Sequence, residues 1–259
     1  MIGEPIYYMH LGLPMSGNDE AASKLLATTW EPKLKQGATM SSQYQRCPAV
    51  WVDSFCFLFA PGMAEPVLLL GLWDKEVSVM GHKQRLKGLV VAAGGHYERC
   101  GQRPVGVEAG DTSVRAAADK ELKEEIGIDA SLVRETKLLG IVDHVLNDPR
   151  THGMRFVHLR WIEQQPRSSD EIKLIVPVPL SELRRLVEGQ ITVDTASGEQ
   201  LGFILNHAQY IAVVMSHPAT EAFITKIKEQ ARAQTPSQYY QGAGFGYPTS
   251  PTPNPSSCW

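Results

Sequence analysis

The sequence predicts an α/β sandwich, in which a mixed sheet carries helices packed against it. Residues 50–59 and 67–73 are dense in β-formers, and residues 113–126 have the composition and punctuation of a helix. After that helix, strands and helices alternate without a strict βαβ repeat, which argues against a doubly wound parallel fold.

Taken in order, residues 1–45 mix a possible short helix at 20–28 with Gly, Ser and Met, and form an ill-defined lead-in. The two β-rich runs are separated by Ala60-Pro61-Gly62, a hairpin signal. A further strand at 89–92 runs into Gly94-Gly95, and residues 99–111, rich in Gly and Pro, read as loop. The helix at 113–126 has Asp111 or Thr112 as candidate N-cap, an Ala116-Ala117-Ala118 run, and Gly127 to end it. Strands are predicted at 137–145, 155–162 and 172–177, a short helix at 181–188, and one or two helices within 200–230. From residue 233 the chain is Gln, Gly, Tyr, Ser and Pro, a composition too poor in apolar side chains to order itself. The division is therefore an extension at 1–47, a folded domain at 48–232 and a tail at 233–259.

Charge and cysteine usage narrow the function classes. A net charge of -3 over 259 residues supplies no overall positive field for nucleic acid or anionic membrane. Cys47, Cys56, Cys100 and Cys258 form no CxxC pair and have no close His partners, which favours reduced thiols over zinc ligands or a disulfide framework. Residues 1–45 contain no Arg and no basic-then-apolar address signal, and no apolar run reaches bilayer length. The expectation is a cytoplasmic protein without a membrane partner, with the N-terminal extension available as an added strand or a homodimer contact.

The chemistry concentrates on one helix. Glu121, Glu124 and Glu125 fall at i, i+3 and i+4, so three carboxylates emerge on neighbouring parts of one face, while Ala118 and Leu122 stack on another. Like charges at this spacing cost roughly 0.2–0.5 kcal/mol per pair and need a cation or full solvation. A solvated surface is the bland reading, since Lys120 can pair with Glu124 and Asp119 with Lys123. A divalent site is the sharper one, because Mg2+ prefers carboxylate oxygens and leaves positions for water and substrate phosphate. The glycines upstream add bare backbone able to approach a phosphate or offer a carbonyl to a metal.

Lys120-Glu121-Leu122-Lys123-Glu124-Glu125-Ile126-Gly127-Ile128 resembles the REUXEEXGU end of the Nudix box, with Lys120 where the family has Arg. For the glycine half two alignments stay open. Gly94-Gly95-His96-Tyr97-Glu98 is similar to the family's GGxxE, with an insertion following. Gly106-Val107-Glu108-Ala109-Gly110-Asp111-Thr112 gives the box spacing without one, and the strand leading into Gly95 favours the first.

The resemblance covers about residues 48–190 and implies an α/β/α sandwich and a Mg2+-dependent hydrolase, with Mn2+ as possible substitute, cleaving a pyrophosphate bond in a nucleotide-derived small molecule or an RNA end. It implies metal ligation by Glu121, Glu124, Glu125 and the Gly95 carbonyl, and water activation by Glu124 or Glu171. Gly94, Gly95 and Arg99 become candidate substrate contacts, and Lys120 stands in the place of the motif arginine, with Asp111 as its partner. A catalytically weak nucleotide-binding, RNA-end-binding or protein-binding module is the alternative. His144, His152 and His158 fit no single helix face and are expected to be structural or on the surface. No GxSxG elbow supports a serine hydrolase.

Overall fold

A computed structural model describes residues 5–8, 14–16, 49–79, 82–96, 111, 113–143, 153–204 and 207–233. Its centre is β3 (Ala49–Leu58), which pairs in parallel with β8 (Gly153–Ile162) along its whole length. Alternation along β3 sends Phe55 and Phe57 to one face and Cys56 and Leu58 to the other, and all four are buried. A strand buried on both faces requires cover on both, and the helices supply it.

Nine of the described strands form one mixed sheet with the path β2, β1, β7, β8, β3, β4, β5, to which β6 adds against β3 and β9 against β4. Here β4 is Val67–Val79, β5 His82–Val91, β6 Ala93–His96, β7 Val133–Asp143 and β9 Ile172–Pro179. The first two strands, β1 (Pro5–Tyr8) and β2 (Pro14–Ser16), come from the lead-in, and β1 runs parallel to β7 with Tyr7 opposite Gly140. One face carries α1 (Val114–Ile126), whose Leu122 and Ile126 pack on Cys56 and Leu58. The opposite face carries α2 (Leu180–Val187), α3 (His207–Met215) and α4 (Pro218–Ala233), with Leu183, Tyr210 and Phe223 packed among Phe55, Phe57 and Trp161. The fold is thus the α/β sandwich with a mixed sheet that the sequence predicts.

Strand β5 starts at His82 where the sequence reading placed a strand from 89, and β7 at Val133 where it placed one from 137; three further differences have identifiable reasons. The N-cap of α1 is Ser113, whose hydroxyl accepts a hydrogen bond from the Ala116 amide at 2.9 Å, in place of Asp111 or Thr112. Strand β4 runs six residues past Trp73, where it stays paired with β5 as far as Val79 opposite His82 and carries Asp74–Arg85 and Glu76–Lys83 ion pairs at 2.6 and 2.8 Å across the hairpin. The start of the segment predicted as helix is instead β11 (Gln200–Leu201), paired with β10 (Val193–Asp194), and the Leu89 amide then donates to the Gly202 carbonyl at 2.8 Å. The helix proposed at 20–28 and the loop at 99–110 lie outside the described residues, as does the C-terminal tail.

A buried ion pair fixes α1 on the sheet. Arg160 of β8 has no exposed surface; its Nε donates to Ser54 Oγ at 2.9 Å, and its Nη1 meets Asp119 Oδ1 of α1 at 2.5 Å. Asp119 also accepts from Arg115 one turn earlier. Removing one partner of a buried pair leaves an uncompensated charge, so Asp119→Ala is expected to cost about 3 kcal/mol. Urea unfolding checks this, and an unchanged midpoint would count against the anchoring role.

Candidate metal and hydrolytic site

At Ala92 the chain leaves β5 and turns into β6, which pairs antiparallel with the first half of β3, placing Gly94 opposite Asp53 and Gly95 opposite Val52. The last two turns of α1 lie over these glycines. Gly94 N–H donates to Glu125 Oε2 at 2.8 Å. Gly95 lies so close to Glu121 that a methyl group added there would occupy the position of the Glu121 carboxylate. The strand can approach two helix carboxylates in this way because neither glycine projects a side chain between them.

Glu125 is only 6 % exposed and shares its stripe with Val114, Ala118 and Leu122, where an apolar residue would ordinarily sit. Burial pushes its carboxyl up to about 9, opposed by the Gly94 amide and reinforced by the negative charges of Glu121, Glu171 and Asp53. Glu121 is half-buried and pushed up to about 7, again chiefly by burial, with Lys120 opposing and Glu124, Glu171 and Asp111 reinforcing. These carboxylates are therefore hard to ionise in the metal-free chain. An oxygen-seeking dication would relieve both burial and mutual repulsion, which is the sense in which the donor set fits Mg2+. Among the described residues, no three His, Cys, Asp or Glu side chains stand close enough to enclose a metal ion, so the remaining ligands would be backbone oxygen, water and substrate.

The other sequence candidates lie as follows. Glu124 is on the exposed side of α1, its charge felt at Glu121. Glu171 sits in a turn just before β9, where Ser169 Oγ accepts from the Glu171 and Ile172 amides, and its carboxylate pairs with Lys75 Nζ at 2.9 Å. Lys75 also lies 5.9 Å over the Trp73 ring. Lys120 and Asp111 both act electrostatically on Glu121, with opposite signs. Arg99 and Gly106 lie outside the described residues, as do His144 and His152, whereas His158 is fully buried in β8.

Sequence reading missed a second polar group beside Gly94. Asp53, 2 % exposed in the middle of β3, accepts two bonds from Arg155 Nη1 at 2.7 and 2.5 Å and one from the Tyr210 hydroxyl at 2.7 Å. The available signal was Asp53 itself, a carboxylate interrupting the apolar run 50–59.

The raised carboxyls set a pH dependence. Their folded values, about 7 and about 9, lie above the ordinary 4.5, so the metal-free fold holds protons that the unfolded chain releases. This stabilisation is complete below pH ~4.5 and is lost as pH rises through 7 for Glu121 and 9 for Glu125. In chelator, Tm is expected to fall between pH 5 and 9, and added Mg2+ should raise it more at pH 9 than at pH 5. A Mg2+ increment that is equal at both values would contradict this assignment.

No family model matches the sequence, and no curated protein matches it either. Solved structures do resemble the fold. The chain is similar to the NUDIX domain of Shewanella oneidensis NrtR complexed with ADP ribose, at TM-score 0.43 and 14% identity, over 77% of this chain and 97% of that one. It is also similar to a MutT/nudix family protein from Enterococcus faecalis, at 0.42 and 14%, over 77% and 73% of the two chains. A mutT/nudix family protein from Listeria innocua gives 0.42 and 16%, over 70% and 99%. All three are described as Nudix or MutT proteins, the same family that Lys120 to Ile128 resembles. At this distance the functional reading rests on the side chains of this chain.

Proposed function

We propose that the chain is a Nudix-type, Mg2+-dependent hydrolase that cleaves a pyrophosphate bond in a nucleoside diphosphate linked to a second group. The observation that carries this reading is the pair of carboxylates, half-buried Glu121 and buried Glu125, closed onto bare glycine backbone in a segment whose sequence resembles the Nudix box. Glu121, Glu125 and the Gly95 carbonyl would hold the cation, with Glu124 at the exposed side of the same helix. Bound there, the cation would neutralise charge on the diphosphate and lower the pKa of a coordinated water.

The remaining work falls to the protein's own groups. Glu171, which lies near enough to Glu121 and Glu125 for its charge to act on both and is paired with Lys75, is one candidate to act on the attacking water. Glu124 is the other candidate for that task. Lys120 offsets negative charge at Glu121. Gly94 and Gly95, which meet Asp53 and Glu121 where a side chain would project, let the carboxylates close onto bare backbone and leave no room there for a phosphate. Water attack on one phosphorus and departure of the other phosphate yields two phosphorylated fragments.

The test is turnover of a panel of nucleoside diphosphate sugars, dinucleotides and capped RNA by the full chain, with Mg2+ or Mn2+ against chelator. Metal-dependent release of two phosphorylated fragments is expected. Tight nucleotide or RNA-end binding without turnover under either metal would replace the enzyme by a binding module, a reading that the Lys120 substitution favours.

A further inference from the structure

We propose that Asp53, Arg155 and Tyr210 form a positioning frame that holds Gly94, and through it Glu125, in the geometry the cation site requires. The inference rests on the reading of Glu121 and Glu125 above, and the three residues themselves touch neither cation nor substrate.

The frame is an unusual use of a core. Trp51, Asp53, Phe55 and Phe57 alternate onto the same face of β3, and Phe55 and Phe57 belong to the main apolar cluster. An isolated carboxylate there would be costly, and a buried ion pair seldom stabilises more than a well-packed apolar substitute of similar volume. A purely structural demand would be met more simply by an aliphatic residue. Instead Asp53 is fully engaged. It accepts from Arg155 on the neighbouring strand, whose guanidinium lies 5.5 Å over Trp51 and 5.6 Å over Tyr210, and from Tyr210 on α3. Tyr210 is fixed in turn by edge contacts with Phe55 at 5.4 Å and His207 at 6.1 Å.

What this assembly presses upon is Gly94. The two residues are register partners, and a methyl group on Gly94 would run into Asp53 Oδ1 and lie 3.0 Å from the Val52 carbonyl. The amide of that glycine donates to Glu125. Asp53 and Glu125 therefore grip the same peptide from two sides, and α3 is tied to the carboxylate helix through a single residue of β6. Partners of this kind, one step behind the ligands, govern how ligands are aimed.

The experiment uses the full chain and three variants, Tyr210→Phe, Arg155→Lys and Asp53→Asn. Mn2+ affinity is read from free Mn2+ by paramagnetic resonance, kcat and KM from the best substrate, and folding from thermal melts. Tyr210→Phe removes one donor and no volume to speak of. It is expected to weaken Mn2+ binding about tenfold and to lower kcat about tenfold, with KM within about twofold, and Asp53→Asn to do more. Phe223→Leu serves as the packing control, since Phe223 contacts Phe57 at 6.0 Å in the same apolar layer. It should lower Tm and leave Mn2+ affinity unchanged.

Should Asp53→Asn fail to fold, Tyr210→Phe and Arg155→Lys decide. The frame is overturned if both fold, bind Mn2+ and turn over within about twofold of the native chain, or if Phe223→Leu loses Mn2+ affinity to the same extent. A native chain that binds no Mn2+, or binds it equally well after Glu121→Gln and Glu125→Gln, overturns the metal site itself and the frame with it.

Discussion

Gly95→Ala is expected to reduce turnover by about 100-fold or more while leaving the protein folded, because displaced ligands and misplaced reacting groups each cost factors of this size. The added methyl would coincide with the Glu121 carboxylate. That carboxylate ends a flexible side chain, so it can swing aside at small energetic cost, and the fold survives with one metal ligand displaced. The neighbouring substitution should behave in the opposite way. In Gly94→Ala the methyl meets Asp53, clamped by Arg155 and Tyr210, and the backbone carbonyl of Val52, neither of which can move freely. Overpacking of that sort costs roughly 1–3 kcal/mol. Steady-state kinetics beside thermal melts separate the two. A Gly95→Ala protein with native kcat would show that Glu121 takes no part in the reaction.

The second large effect is at Glu125, where activity and stability should part company. Glu125→Gln keeps size and can still accept the Gly94 amide hydrogen bond, but it removes the charge a dication would use. Turnover should fall on the order of 1000-fold, the several kcal/mol expected when a bound cation's charge stabilisation is lost. Stability without metal should rise. The native carboxyl is held at about 9 by burial and by Glu121, Glu171 and Asp53, so at neutral pH folding must force it to keep a proton that the unfolded chain gives up. A Gln has no proton to retain. Melts in chelator at pH 8 are expected to show a Tm gain of roughly 5 °C, from a few kcal/mol at 2–4 °C each. A Tm loss would mean that Glu125 is ionised and stabilising in the native fold.

Such opposition between stability and function is common where a site is built from groups the fold would otherwise reject. Local patterns in the sequence report the parts of this site that are contiguous. Glu121 and Glu125 one helical turn apart and Gly127 at the helix end with φ 68° are short-range features and fall in the helix predicted for them, whereas the strand predicted at 89–92 breaks at Ala92 and Gly94-Gly95 lie inside a separate strand, β6. Burial is another matter. Spacing alone suggested that the three glutamates share a face apart from Ala118 and Leu122, yet Glu125 lies on the buried stripe and Glu124 does not. The register of a helix against its sheet decides this, and here the Arg160–Asp119 pair and the glycine strand set it.

Long-range pairing hid the rest. Arg155 meets Asp53 across 102 residues and Tyr210 meets it across 157, separations at which no periodicity survives. The charged outer hairpin of β4 and β5 escaped for a related reason. Cross-strand ion pairs hold it, and they join residues as far as eleven apart in the chain. The strands β1 and β2 lie in a lead-in of mixed composition, and their order comes from pairing to β7 and to each other.

The most direct measurement of the central claim is product-resolved hydrolysis of the nucleoside diphosphate panel by the native chain and by Glu125→Gln, each at equal folded concentration with and without Mg2+. The account predicts Mg2+-dependent release of two phosphorylated fragments by the native chain and its near loss in the variant. Equal rates for the two proteins, or a native rate indifferent to chelator, would contradict it.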